Sequence, residues 1–194
     1  MTRLRMFVAL TIATALPLAG AAAQAPAKPS AQVPVQGWAS SSGLIDLKPN
    51  ARITGEQLAD RAAITDTLNR WGIAYDEGDS DVIRSLFVPD GVLETYNADT
   101  GRRVGVNGID KIIPYLTTSF KKQADQRRHL MGNVVVDLTS DRAATANAYA
   151  LVSVAKTDLY LGAAAVYDAE LEKGADQVWR FKRLTIGLDK YVSK

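Results

Sequence analysis

His129 is the single histidine of the 194-residue chain, and no other side chain present has an ordinary pKa close to neutrality. It is therefore the first candidate for moving a proton at working pH. By the two-residue period of a strand, Met131, Asn133 and Val135 would share its face, with Leu130, Val134 and Val136 on the other. A histidine so placed is either a packed residue with its ring hydrogen-bonded or a base open to a cavity. Asp76 is the second candidate. At 100° per residue it falls about 110° from the centre of the apolar stripe Ile64, Leu68, Trp71 and Tyr75, one turn beyond Gly72. That azimuth is the boundary between core and solvent. The last turn of a helix is also where the macrodipole disfavours a carboxylate, so helix stability gives Asp76 little reason to be there. Its alternative role is as a solvated member of the acidic group Asp76, Glu77, Asp79 and Asp81. Tyr75 sits on the stripe itself, as core or as a phenol directed into a cavity. One of the pair Arg127-Arg128 could hold an anionic group of a ligand.

Other chemistries lack their residues. With no Cys and one His, thiolate sites and His-rich zinc or iron sites are excluded, and only carboxylate-based metal sites stay open. There is no G-x-S-x-G elbow, no GKS or GKT phosphate loop and no G-x-G-x-x-G fingerprint.

Positioning a strand histidine against a helical aspartate requires a particular order of elements. Thr54 can cap a helix of about two dozen residues carrying the stripe, ending before Gly78. Asp79 or Ser80 caps a short second helix through Val82, Ile83, Leu86 and Phe87, stopped at Pro89-Asp90-Gly91. Strands are expected at Val92–Tyr96 and Arg102–Val106, around a turn at residues 97–101. A third helix runs from Asn107-Gly108 to about Lys122, kinked or split by Pro114. Long strands follow at Arg128–Leu138, Ala143–Lys156, Leu159–Glu172 and Val178–Leu188. Helices followed by a run of antiparallel strands predict one α+β domain, with the helices on the concave face of a curved sheet around a pocket. The alanines of 143–150 and the stretch Gly162–Ala165 suggest room there for a flat apolar ligand.

The first 23 residues read as a secretory signal peptide. Arg3 and Arg5 precede an apolar run too short to span a bilayer comfortably, and Ala21-Ala22-Ala23 offers a cleavage site. Cleavage near Ala23 removes two basic residues and no acidic ones, leaving 21 of each. A balanced mature chain gives no electrostatic footprint for nucleic acid, and nothing suggests a stable membrane anchor. The expected location is the periplasm or the medium. Residues 24–53, with Pro26, Pro29, Pro34, Pro49 and the Ser40–Gly43 run, read as a tether, partly docked through Trp38, Leu44, Ile45 or Leu47. The domain occupies residues 54–194.

Several segments together match a known pattern. The stretch Arg61–Ile64 through Tyr75-Asp76-Glu77-Gly78-Asp79, then Leu86–Gly91, then Arg128-His129-Leu130-Met131-Gly132-Asn133, then Val178-Trp179-Arg180-Phe181, resembles the SnoaL-like branch of the nuclear transport factor two-like superfamily. The likeness covers residues 54–191 and implies a cone-shaped α+β barrel. Scytalone dehydratase, hexachlorocyclohexane dehydrochlorinases, bile-acid dehydratases and lignin-dimer γ-formaldehyde lyases share this fold, and in them an Asp of the first helix and a His of the third strand act as a pair. The matching positions here are Asp76 and His129, with Tyr75 matching a pocket tyrosine. A second histidine used by scytalone dehydratase is absent, its neighbourhood holding Val154 and Lys156. The resemblance implies a cofactor-free lyase that cleaves a carbon–oxygen, carbon–halogen or carbon–carbon bond of a small apolar or aromatic substrate. Expected substrate contacts are Trp71, Arg128, Met131 and Asn133, and a homodimer or homotrimer through the outer sheet face. A non-catalytic periplasmic binding or accessory protein of the same fold is the alternative; it would not need the Asp–His pair. An isomerase of the ketosteroid type would want a carboxylate on the His129 face, and none is evident.

Overall fold

The computed structural model describes residues 47–98 and 100–192, with the side chain of Tyr191 excepted. The expected signal peptide and most of the expected tether lie outside the described residues. The last seven tether residues, 47–53, form an exposed irregular segment. They share a surface recess with Gln57, Arg61, Val135, Asp137 and Leu138.

Helix α1 spans Gly55–Glu77. Gln57 accepts the Thr54 N–H at 3.0 Å at its start, and Gly78 closes its end in the left-handed conformation (φ 65°), where only glycine is unstrained. The stripe faces the sheet as its spacing requires: Ile64, Leu68 and Trp71 are fully buried. Burying each such side chain contributes roughly 1.5–3 kcal/mol. Helix α2, Ser80–Ser85, is capped by Asp79, whose side chain accepts from the N–H groups of Asp81 and Val82. Strand β1 (Phe87–Asn97) and strand β2 (Arg102–Asn107) form a hairpin. Helix α3 runs over Ile109–Phe120, burying Ile109, Ile112 and Leu116. Four long strands complete the chain: β3 (Gln126–Ser140), β4 (Ala143–Ala155), β5 (Leu159–Lys173) and β6 (Trp179–Tyr191).

All six strands form one curved sheet in the order β2-β1-β6-β5-β4-β3. Every neighbouring pair is antiparallel except β1 with β6, which run parallel. α1 lies against β3 and β6, and α3 against β1 and β2. The α+β domain with a curved sheet, anticipated from the order of elements, and the cone that the resemblance implies are the architecture found.

Two local expectations are corrected. Pro89-Asp90-Gly91 does not separate α2 from a later strand; it lies inside β1, where the register against β6 shifts between Phe87 and Val92. Gly91 is needed there, because an added Cβ would come within 2.9 Å of the Val88 carbonyl oxygen and 3.1 Å of that of Phe181. Pro114 does not split α3. It lies on the exposed side of the helix, so the carbonyl four residues back that loses its N–H partner faces water.

Candidate active site

The end of α1 meets the start of β3 at Gly72. A Cβ added to Gly72 would sit 3.2 Å from His129 Cβ and 3.5 Å from Met131 Cγ, so the missing side chain sets how closely helix and strand approach. One helical turn further on, this brings Asp76 onto His129 twice. Asp76 Oδ1 lies 2.6 Å from the ring Nδ1, and Oδ2 accepts the His129 backbone N–H at 2.7 Å. Both side chains are nearly closed to solvent, at 8% exposure for His129 and 4% for Asp76. The carboxylate therefore holds the imidazole at a ring atom and at the main chain, which fixes both position and rotation. With Nδ1–H donating to the carboxylate, the Nε2 lone pair is left as the basic position. The rest of the acidic group is accounted for separately: Glu77 pairs with Arg128 at 2.9 Å, Asp79 caps α2, and Asp81 is exposed in the first turn of α2.

His129 lines a cavity of about 140 Å³ between the helices and the concave sheet face. Trp71 and Tyr75 line it from α1, Tyr115 and Ser119 from α3, and Arg127, Gly162, Ala163 and Tyr167 from the sheet. The Tyr75 ring meets the His129 ring edge-on, with centroids 5.3 Å apart, and also packs on Phe120 and Trp71. Tyr167 is 2% exposed. Burial pushes its phenol well above the ordinary tyrosine range, opposed by the Trp71 indole beside it and reinforced by Tyr75 and Asp76.

A protein-family model described as SnoaL-like domain matches residues 56–185. The chain belongs to this family. No curated protein matches it. Among solved structures, a protein from Catenulispora acidiphila in complex with S-DNPA is similar at 28% identity and a TM-score of 0.60, over 69% of this chain and 96% of that one. ActVI-ORFA from Streptomyces coelicolor is similar at 20% identity and 0.56, over 66% of this chain and 96% of that one. LinA is similar at 20% identity and 0.61, over 72% of this chain and 92% of that one. At 20% identity the likeness is one of fold.

Within the SnoaL-like domain, the structure brings Asp76, His129, Tyr75 and Trp71 together and leaves three expected contacts elsewhere. Met131 points inward but packs beside Gly72 instead of lining the cavity. Arg128 is exposed and engaged with Glu77; Arg127, on the His129 face by period two, is the arginine that lines the cavity, and it is ion-paired to Asp125 at 2.8 Å. Asn133 does not share the His129 face. It adopts φ 51° at a register shift between Gly132 and Val135, an extra-residue bulge that reverses the alternation. Val134 and Val136 consequently turn inward, while Asn133 borders a recess with Leu130, Tyr149 and Leu151. The alanines of β4 expected to make room for a ligand are packed in the core at 144, 146, 148 and 150; Gly162 and Ala163 are the small residues at the cavity. Tyr167 was missed, although a tyrosine alternating with Ala163, Ala165 and Ala169 is a legible inward position.

Proposed function

We propose that the protein is an exported, cofactor-free lyase of the dehydratase type in which His129 and Asp76 act as base and orienting carboxylate. The observation that carries this reading is the double hold of Asp76 on His129, at 2.6 Å to Nδ1 and 2.7 Å to the backbone N–H. A packed histidine needs one hydrogen bond to be satisfied, whereas fixing rotation and tautomer serves a ring whose other nitrogen must meet a substrate. His129 Nε2 takes a proton from a substrate carbon, and the electron pair of that C–H bond forms a double bond to the adjacent carbon as the leaving group departs. Asp76 stabilises the imidazolium, which returns its proton to the leaving group. Family membership and the fold shared with LinA and ActVI-ORFA support chemistry of this class. The largely aliphatic and aromatic lining favours a small, flat, apolar or aromatic substrate.

The test is proton exchange. In deuterated water the purified protein should exchange the benzylic protons of 1-phenylpropan-2-one, followed by NMR, and His129→Ala should slow exchange by about 10²–10⁴-fold. No exchange above the buffer rate, or equal rates in wild type and His129→Ala, would assign the cavity to binding alone. Export is tested by the N-terminus of protein recovered from a periplasmic extract, expected near Gln24.

A further inference from the structure

The Trp71 indole Nε1 is the one buried side-chain nitrogen or oxygen among the described residues without a hydrogen-bond partner. Trp71 itself is fully buried and lines the cavity. An orphaned N–H in a packed interior is left without the water or partner it would otherwise bond, so its retention calls for a reason. The Tyr167 phenol lies close by, and the indole N–H is placed to favour its oxygen, although the two do not meet in ordinary hydrogen-bond geometry. Tyr167 lines the same cavity and is 2% exposed. Two donors from different elements, the last third of α1 and the middle of β5, thus lie at the cavity that His129 also lines. Because burial disfavours the phenolate, this phenol keeps its proton at neutral pH.

We propose that the Tyr167 hydroxyl, with the Trp71 indole N–H behind it, forms a donor site for a substrate carbonyl oxygen. This rests on the reading of His129 as base and narrows the substrate to a carbonyl compound with a C–H bond on the α-carbon and a leaving group on the β-carbon. When His129 Nε2 removes the α-proton, the C–H electron pair becomes the enolate double bond and the carbonyl π pair moves to oxygen. Tyr167 O–H stabilises that oxygen by donation. The enolate then collapses, reforming the carbonyl and expelling the leaving group with its electron pair, while the imidazolium returns the proton. The Trp71 N–H donates to the Tyr167 oxygen as the phenol turns toward the substrate, which strengthens the phenol as a donor. A cavity of this size accommodates a single aromatic ring.

The experiment compares acetophenone with α-methylstyrene, a planar analogue that carries CH2 in place of the oxygen. Tyr167→Phe should weaken acetophenone binding about fivefold to tenfold, the value of one hydrogen bond, and leave α-methylstyrene within about twofold. The infrared carbonyl stretch of bound acetophenone should lie lower in wild type than in Tyr167→Phe, a signature that a purely structural role would not produce. Absent saturable acetophenone binding by wild type, equal losses for both ligands, or an unshifted carbonyl band would each overturn the donor site. A Tyr167-dependent band with no His129-dependent proton exchange would instead sink the base while leaving the donor site standing.

Discussion

Asp76 and His129 form one unit, so their substitutions should not add. On the proposed mechanism His129→Ala removes the base itself, whereas Asp76→Asn leaves the imidazole in place but withdraws its negative partner and its fixed tautomer. The expected outcome is a smaller loss of exchange rate in Asp76→Asn than in His129→Ala, with the double variant no slower than His129→Ala. Full additivity would mean that the two side chains act independently. The pair was legible as two candidates from residue chemistry, because a lone histidine and a carboxylate misplaced at a helix end both stand out. Their juxtaposition was not, since the controlling residue, Gly72, acts by having no side chain.

Among the elements, the seam between α1 and β3 determines whether the pair can form. Gly72→Ala would improve helix propensity by about 0.5–1 kcal/mol, yet its Cβ would press on His129 Cβ at 3.2 Å. Helix and strand must then separate by a few tenths of an ångström. The variant should melt within a few degrees of wild type and still lose about tenfold in exchange rate, because catalysis is more sensitive than stability to such displacements. At the bulge in β3, Asn133→Gly should be nearly neutral, whereas Asn133→Val should cost about 1–3 kcal/mol in urea unfolding, since a β-branched residue resists φ 51°. Neither change should alter acetophenone affinity if the Asn133 side chain stays outside the cavity. Helix ends and strand alternation were readable because Gly78, Asp79 and the apolar periods act locally. Bulges in β1 and β3 were not, because they are fixed by register against a neighbouring strand.

The whole molecule closes through Asp60, which ties the first helix to the last two strands. Its carboxylate takes the Lys173 ammonium at 2.7 Å and the buried Trp179 indole N–H at 2.9 Å. Those hydrogen bonds hold its pKa below the ordinary 3.8. A group whose folded pKa is lowered contributes stability above its unfolded value and loses it as pH falls through the folded one. The difference in unfolding free energy between wild type and Asp60→Asn should therefore be widest near pH 7 and close as the pH falls below about 3.8. A gap independent of pH would remove Asp60 from the acid response. Helices on the concave face of a six-stranded sheet were legible from element order alone. The long-range tie of Asp60 to Lys173 and Trp179, across more than 100 residues of chain, carries no local signal.

The hold of Asp76 on the His129 backbone N–H has a consequence apart from chemistry. β3 is an outermost strand of the sheet among the described residues, and an outermost strand presents main-chain donors that invite another strand to pair. By accepting that amide, Asp76 occupies a docking position on the rim. In native-state hydrogen exchange the His129 amide should accordingly be protected in wild type and exposed in Asp76→Ala. That variant should also self-associate more readily on concentration, because the carboxylate that orients the ring is the same one that keeps the rim of the sheet closed to other chains.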